Sequence, residues 1–207
     1  LNLLDKGLKH LKAHIKILKK FNIPIVVVIN KFDRDTIDEI NLVEGFCRSM
    51  GVRVSISEAY VKGGNGATKV AKEIIDAIET DSANFTPLYD YRLPIQTKID
   101  LLAKNIYLAD KVEYSSVAKR ELEELSLSGF SNLPVCMAKT QFSISDDPTL
   151  KGVPDSWTLH IRHLKVANGA GFIVAIAGNI MLMPGLPKIP AAMDVKIDDN
   201  GNVTGLR

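Results

Sequence analysis

The feature that most constrains the fold is a continuous run of apolar, mostly β-branched residues near the start of the chain. Residues 23–29 read IPIVVVI and contain no polar side chain, whereas a strand with one solvated face alternates apolar and polar residues. Such a run is typical of a strand buried on both faces, as in a parallel sheet covered by helices. The run therefore predicts an α/β fold in which residues 23–29 form an internal strand.

Helical and strand patterns alternate around this run. Apolar residues recur at helical spacing in residues 3–21, 38–50 and 67–80, and residues 52–56 form a second short strand pattern. Alternation of this kind predicts a layered α/β architecture with a parallel sheet. A polar segment with Pro87 and two tyrosines follows at 82–93 and predicts a linker.

The pattern changes after the linker. Helices are predicted at 94–105 and 115–126, the second with Ser115 as its N-cap. Strands are predicted at 112–114, 133–138, 159–166, 172–177 and 180–182, and residues 194–204 predict a hairpin in which Asn200 and Gly201 supply two positive φ angles. The sequence thus predicts an α/β domain at 1–90 and an α+β region at 91–207.

Composition excludes several classes of protein. The 207 residues carry 26 Lys and Arg against 24 Asp and Glu, so no strongly basic surface favours nucleic acid. No apolar run reaches the ~18 residues of a membrane span. Cys47 and Cys136 form no CxxC motif, which argues against zinc and against a disulfide scaffold. A reducing, cytoplasmic setting is expected, with Cys136 buried in its apolar run.

The predicted strand at 23–29 ends in Asn30-Lys31-Phe32-Asp33. Ligands of open α/β sheets lie beyond the carboxyl ends of the strands, where these residues fall. The tetrapeptide also matches N-K-x-D, the guanine-reading motif of GTPases. Two interpretations remain open from the tetrapeptide alone: a base-binding site and a polar turn that ends a strand.

A second loop, after residues 52–56, belongs to the same predicted edge. Tyr60 is placed to face Phe32 and hold a flat heterocycle by offset stacking, and Gly63 and Gly64 allow the backbone to approach a ligand closely. The alternative is that both rings are ordinary packing residues and that the glycines only make a turn. No G-x-x-x-x-G-K-[ST] loop occurs in the sequence. The residues that bind the phosphates of any nucleotide are therefore expected outside this chain.

The histidines predict no metal site. His10 and His14 share a helix face without an acidic partner, and a solvated lysine-rich face is the better interpretation. His160 and His163 lie three apart in a predicted strand and are expected to point to opposite faces.

Three longer sequence segments resemble those of a known family. They are residues 133–141 (LPVCMAKTQ) continued by 143–148 (SISDDP), 169–173 (GAGFI), and 183–187 (MPGLP). In order and spacing they resemble the C-terminal part of formate–tetrahydrofolate ligase (10-formyltetrahydrofolate synthetase). The resemblance covers essentially all 207 residues.

The resemblance implies an ATP-dependent enzyme that phosphorylates formate to formyl phosphate, which N10 of tetrahydrofolate then attacks. ATP and tetrahydrofolate would be substrates, with Mg²⁺ accompanying ATP and no prosthetic group. The family's fold is a nucleotide-binding α/β domain with a phosphate loop, followed by smaller α+β domains. Because the chain resembles less than half of the enzyme and lacks an initiator methionine, it is expected to be a C-terminal fragment, inactive without its N-terminal half.

The resemblance also implies roles for individual residues. Phe32 matches an aromatic residue that stacks on the adenine or pterin ring, and Tyr60 stands where the family usually has tryptophan. Asp33 stands where proline is usual, which makes the N-K-x-D match fortuitous. The triplet Lys62-Gly63-Gly64 matches the loop beside the aromatic residues, and no catalytic residue or metal ligand is assigned.

Two other functions remain as alternatives. One is a non-catalytic ligand-binding or interaction module from a split or decayed copy, and the other, ranked last, is a GTPase-like switch. For any of them, an exposed apolar edge of the first sheet predicts self-association into a homo-oligomer.

Overall fold

The computed structural model describes residues 1–180 and 188–205. The first part of the chain forms a two-stranded sheet with helices around it. Its elements are α1 (Asn2–Lys19), β1 (Val26–Asn30), α2 (Ile37–Ser49), β2 (Arg53–Ser57), the single turn α3 (Ala59–Lys62), a 3₁₀ turn (Gly63–Ala67) and α4 (Thr68–Thr80). β1 and β2 pair in parallel, with Asn30 opposite Ser57. The predicted mixture of helices and parallel strands is confirmed.

The prediction that residues 23–29 are buried on both faces is wrong. β1 begins only at Val26 and has β2 as its one partner among the described residues, and Val28 remains 42% exposed. A strand is buried on both faces only when it has neighbours along both edges and layers above and below. One edge of β1 is therefore open.

Arg53 ties α4 to the sheet. Its guanidinium group donates to Asp81 Oδ1 over 2.7 Å and to Glu73 Oε1 over 2.9 Å, so one β2 side chain holds the middle and the end of α4. The hydrogen bonds to Asp81 and Glu73 raise the pKa of Arg53. This anchorage fixes the helix that follows the glycine-rich loop.

The segment predicted to be a linker contains no helix or strand at 82–93. It is nevertheless packed against the end of α1, since the rings of Phe21 and Phe85 stack with centroids 6.2 Å apart. Asn22 also donates to Thr86 Oγ1 over 3.0 Å. A domain boundary near residue 90 remains a prediction.

The rest of the chain builds a four-stranded mixed sheet. Its elements are α5 (Ile95–Asn105), β3 (Lys111–Tyr114), α6 (Ser116–Leu127), a 3₁₀ turn (Phe130–Asn132), β4 (Val135–Ala138), β5 (Thr158–Ala167) and β6 (Phe172–Ala177). The strand order is β3-β5-β6-β4, with β5 and β6 antiparallel and the outer pairs parallel. Ile99, Leu159 and Ile173 lie in the core between the helices and this sheet. Ser115 caps α6 as predicted, since its Oγ accepts from Ala118 N over 3.0 Å.

A β-bulge in β5 overturns the prediction for His160 and His163. The pairing of β5 with β6 shifts between Ile161 and His163, so the buried positions are Leu159, Ile161 and Leu164. The extra residue breaks the two-residue period. Both histidines consequently keep exposed side chains.

Cys136 is exposed, contrary to the prediction, because β4 is an edge strand of the sheet. Cys47 is buried, and both cysteines are free thiols. No helix among the described residues is long and apolar enough to cross a membrane.

The predicted hairpin is present and is formed by β7 (Lys196–Ile197) and β8 (Val203–Thr204). The turn differs from the prediction because only Gly201 has a positive φ, of 82°. Asp198 closes a longer loop by accepting from the backbone N–H groups of Asn200 and Asn202. Most of the predicted strand at 180–182 and the whole of residues 183–187 lie outside the described residues.

Candidate functional site

The two loops singled out in the sequence meet at one edge of the first sheet. Because β1 and β2 are parallel, their carboxyl ends lie side by side. Residues 31–36 follow β1 and residues 58–67 follow β2. This is the edge at which open α/β sheets bind ligands.

Two aromatic rings from these loops are in contact. The centroids of Phe32 and Tyr60 lie 5.3 Å apart, with 57° between the ring planes. Phe32 is 47% exposed and Tyr60 is 82% exposed. A flat ring held between two others requires their planes to be ~7 Å apart, since contacting carbon atoms lie ~3.5 Å apart. The two rings therefore fill with each other the space that such a ligand would occupy.

The loop after β1 is fixed by short hydrogen bonds. Phe32 N donates to Asp35 Oδ2 over 2.7 Å, and Asp35 N donates back to Phe32 O over 3.0 Å. Thr36 and Glu39 then form a capping box that starts α2. The hydrogen bond from Thr36 N lowers the pKa of Glu39. Asp35, which holds the backbone of Phe32, directly precedes Thr36, the N-cap of α2. The loop that carries Phe32 is therefore anchored next to the start of this helix.

Asp35, Thr36 and Glu39 were not predicted from the sequence. The T-x-x-E spacing at positions 36–39 is the sequence signal of a capping box and would have revealed Thr36 and Glu39. Asp35 carries no comparable signal, because the residue that an aspartate accepts from depends on how the loop folds.

Glu58 connects the two loops and was also missed. Its Oε2 lies 2.7 Å from Lys62 Nζ and its Oε1 lies 3.4 Å from Lys31 Nζ. The hydrogen bond from Lys62, and then that from Lys31, holds the pKa of Glu58 below its usual value. Glu58 therefore gives Lys31 and Lys62 a common partner and links the loops on either side of the ring pair.

The glycines of the second loop differ in what they require. Gly63 has a φ of 57°, which disfavours other residues, whereas Gly64 has open space around it. A Cβ at Gly66 would stand 2.4 Å from the carbonyl oxygen of Glu58, and Glu58 N donates to Gly66 O over 3.1 Å. Hence Gly66, which was not predicted as a site residue, is the glycine of this loop at which backbone packs most closely on backbone.

The remaining residues of the predicted tetrapeptide have separate surroundings. Asn30 is an exposed strand end opposite Ser57. Lys31 pairs with Glu58, and Asp33 is exposed without a side-chain hydrogen bond or ion pair to any described residue. The loop therefore holds Phe32 firmly while leaving Asp33 in solvent.

This arrangement defines a class of site. Two solvent-accessible rings flank the carboxyl edge of parallel strands, and a glycine-rich turn lies beside them. Once the two rings separate, such an edge suits a ligand with a flat heterocyclic ring, of the kind found in nucleotides and pterins. No cluster of three or more metal-ligating side chains occurs among residues 1–180 and 188–205.

Comparison with known proteins identifies the family. The family model described as formate–tetrahydrofolate ligase matches residues 1–207. The formate–tetrahydrofolate ligase of Petrotoga mobilis is 49% identical over 203 residues, which are 98% of this chain and 36% of that protein. The formate–tetrahydrofolate ligase of Pseudothermotoga lettingae is 46% identical over 206 residues, covering 100% of this chain and 37% of that protein.

The chain belongs to the formate–tetrahydrofolate ligase family. It is thus a member of an enzyme family of one-carbon folate metabolism. The family resemblance of the three sequence segments is confirmed. The chain spans little more than a third of the length of the curated relatives it matches.

Proposed function

We propose that this chain supplies the ring-binding edge of an ATP-dependent ligase that makes 10-formyltetrahydrofolate from formate and tetrahydrofolate. The observation that carries the proposal is the Phe32–Tyr60 pair at the carboxyl edge of the parallel strands. Membership of the family supplies the substrates. Phe32 and Tyr60 would stack on opposite faces of an adenine or pterin ring, and the loop at Lys62, Gly63 and Gly64 would border it.

The proposed reaction has two steps. Formate attacks the γ-phosphorus of ATP, giving formyl phosphate and ADP. N10 of tetrahydrofolate then attacks the formyl carbon and loses its proton, and the C–O bond to phosphate breaks, so that phosphate leaves. Mg²⁺ accompanies the phosphates of ATP, as is usual for this cation. The proposed setting is the reducing cytoplasm, which suits two free thiols.

The contribution of this chain to the rate is orientation. Holding two reactants in a productive geometry removes much of the entropic barrier of a bimolecular step. The sequence contains no phosphate loop, so in this proposal the grip on ATP comes from another part of the enzyme. The 207-residue chain alone is therefore expected to be inactive.

Ligand entry requires the ring pair to open. Tyr60 is the more exposed ring and sits on a helix of a single turn, whereas Phe32 is held by Asp35. We therefore assign the movement to Tyr60, which swings away from Phe32 and closes over the ligand.

Calorimetric titration of the chain with tetrahydrofolate, ADP and GDP tests the proposal. Tetrahydrofolate or ADP is expected to bind, and Phe32→Ala to weaken that binding by 10-fold or more. Phe142→Ala, which removes an exposed ring outside both loops, serves as the matched control and should have no effect. Absence of heat with every ligand, or equal weakening by both variants, would show that this chain does not form the ring site. Preference for GDP over ADP would favour the GTPase-like alternative.

The alternative of a non-catalytic binding module shares the same ring site. Its basis is that the 207 residues contain no phosphate loop. Adding the remaining part of a relative's enzyme to the chain discriminates the two. Formation of 10-formyltetrahydrofolate that depends on Phe32 supports the ligase, and failure of the assembled parts to react supports the module.

A further inference from the structure

A second crevice lies between α1 and the end of β4, apart from the ring pair. Its volume is about 340 Å³, which lies in the range of small-molecule sites. His10 and His14 line it from α1, and Lys139 and Gln141 line it from the segment after β4. None of its lining residues belongs to the loops that carry Phe32 and Tyr60.

The crevice carries positive charge without a matching carboxylate. Its described lining contains one lysine and two histidines and neither Asp nor Glu. Lys139 Nζ donates to Thr140 O over 2.8 Å and to Ser143 O, and it lies 5.4 Å from the centroid of the Tyr107 ring. These contacts hold the ammonium group in place but do not neutralise it, and one of its three N–H groups is left over.

The acidic neighbour of Lys139 is engaged elsewhere. Burial lowers the pKa of Lys139, and the charge of the nearby Asp146 only partly opposes that effect. The Asp146 carboxylate accepts from His160 N over 2.7 Å and contacts His160 Nδ1 at 3.0 Å. No carboxylate of the described chain lies within 4.0 Å of Lys139 Nζ. The charge of Lys139 thus remains available to a ligand.

The two histidines add donors on the opposite wall. His10 Nε2 and His14 Nε2 lie 3.2 Å apart, so one imidazole donates to the other. Burial, and then the neighbouring His10, lower the pKa of His14. A bound anion would favour the protonated form of His14 and would accept hydrogen bonds from the ring N–H groups that the pair does not use.

Gln141 supplies a further donor. Its side-chain amide has no hydrogen bond to any residue that the structure describes, although it lines the crevice. We propose that this crevice binds a small anion with a phosphoryl or carboxylate group, recognised by Lys139, Gln141 and the His10–His14 pair. The proposal does not depend on the ring site.

Imidazole NMR of the intact chain at pH 7 tests it directly. The chain has four histidines, two in the crevice and two on β5, so the second pair is an internal control. Titration with inorganic phosphate or with glutarate is expected to shift the His10 and His14 signals saturably and to leave His160 and His163 unchanged. Saturation by phosphate alone identifies a phosphoryl site, and saturation by glutarate alone identifies a carboxylate site.

Other outcomes overturn the proposal. A linear shift of all four histidine signals would show non-specific ion effects. No shift with either anion would show that the crevice binds neither of them. Saturation by Zn²⁺ but by neither anion would show a metal-binding histidine pair instead.

Variants locate the site. Lys139→Gln is expected to weaken anion binding at least 10-fold, but Lys139 also holds the turn at 140–143. Gln141→Ala removes an exposed side chain and should weaken binding several-fold without that structural risk. Lys12→Gln removes an exposed charge from the same helix outside the crevice and should leave binding unchanged. Equal weakening by Gln141→Ala and Lys12→Gln would refute the site.

Discussion

Gly66 packs so closely on Glu58 that a Cβ at position 66 would stand 2.4 Å from the Glu58 carbonyl oxygen. The contact is backbone against backbone, so a rotamer change cannot relieve it. It joins the start of the second site loop to its end, and it places Tyr60 and Lys62 between the two contacting residues.

The variant Gly66→Ala is expected to destabilise the protein by about 1–3 kcal/mol, the usual cost of forcing an extra group into a packed site. It should also weaken ligand binding at the ring pair. Gly64→Ala is the matched control, since a Cβ there meets nothing within 4 Å. Urea unfolding of both variants measures the difference, and equal stabilities would contradict the assigned contact.

Glu58 makes the site loops sensitive to acid. Its pKa lies below the usual 4.5 in the folded state, chiefly because Lys62 donates to it. A lowered carboxyl pKa means that the ion pairs contribute fully above pH ~4.5 and are lost as the pH falls through the folded pKa. An NMR titration of the Glu58 carboxyl group should show this, with Lys62→Met raising its midpoint more than Lys31→Met. The reverse order would show that Lys31 is the dominant partner.

Lys98 is expected to be a structural cation of the second sheet region. It is fully buried, and its Nζ donates to Ser131 O over 2.6 Å and to Leu133 O over 2.8 Å. Lys98→Met leaves both carbonyl groups without that donor and should lower the free energy of unfolding by about 2 kcal/mol or more. Lys104→Met, on the exposed side of the same helix, should change it little. Denaturant unfolding compares the two, and matched stabilities would disprove the role.

Self-association of this chain is expected through the open edge of β1. Exposed apolar strands pair with other chains, and a lysine on such a strand opposes pairing. Sedimentation velocity should show oligomers that Val28→Lys reduces. Leu127→Lys changes an even more exposed apolar residue, on α6, and should not reduce them. A monomer at high concentration would refute the prediction.

Tyr60→Trp is expected to tighten binding at the ring pair several-fold, because tryptophan offers a larger π surface than tyrosine. Tyr60→Leu keeps an apolar side chain without a ring and should weaken binding. Calorimetry with tetrahydrofolate and ADP compares the three side chains. Equal affinity for all three would show that Tyr60 does not stack on the ligand.

The sequence by itself determined most of the elements and their kinds, although not the single-turn helix α3. Helical spacing located α1, α2 and α4, the apolar runs located β1 and β6, and Ser115 marked the start of α6, because these signals lie within one turn or one strand of the chain. The placement of Phe32 and Tyr60 near each other also followed from the sequence, because two consecutive parallel strands end at the same edge of a sheet.

Tertiary structure decided what depends on neighbours distant in the chain. Val28 is exposed because one edge of its sheet is open, and Cys136 is exposed because β4 is an edge strand. The apolar runs that contain these residues do not show whether a strand lies at an edge. The bulge in β5 turned His160 and His163 away from the predicted alternation. His10 and His14 became part of a crevice only because α1 packs beside the end of β4. Local residue patterns fix backbone conformation, whereas burial, ion pairing and the shape of a site depend on which elements pack together.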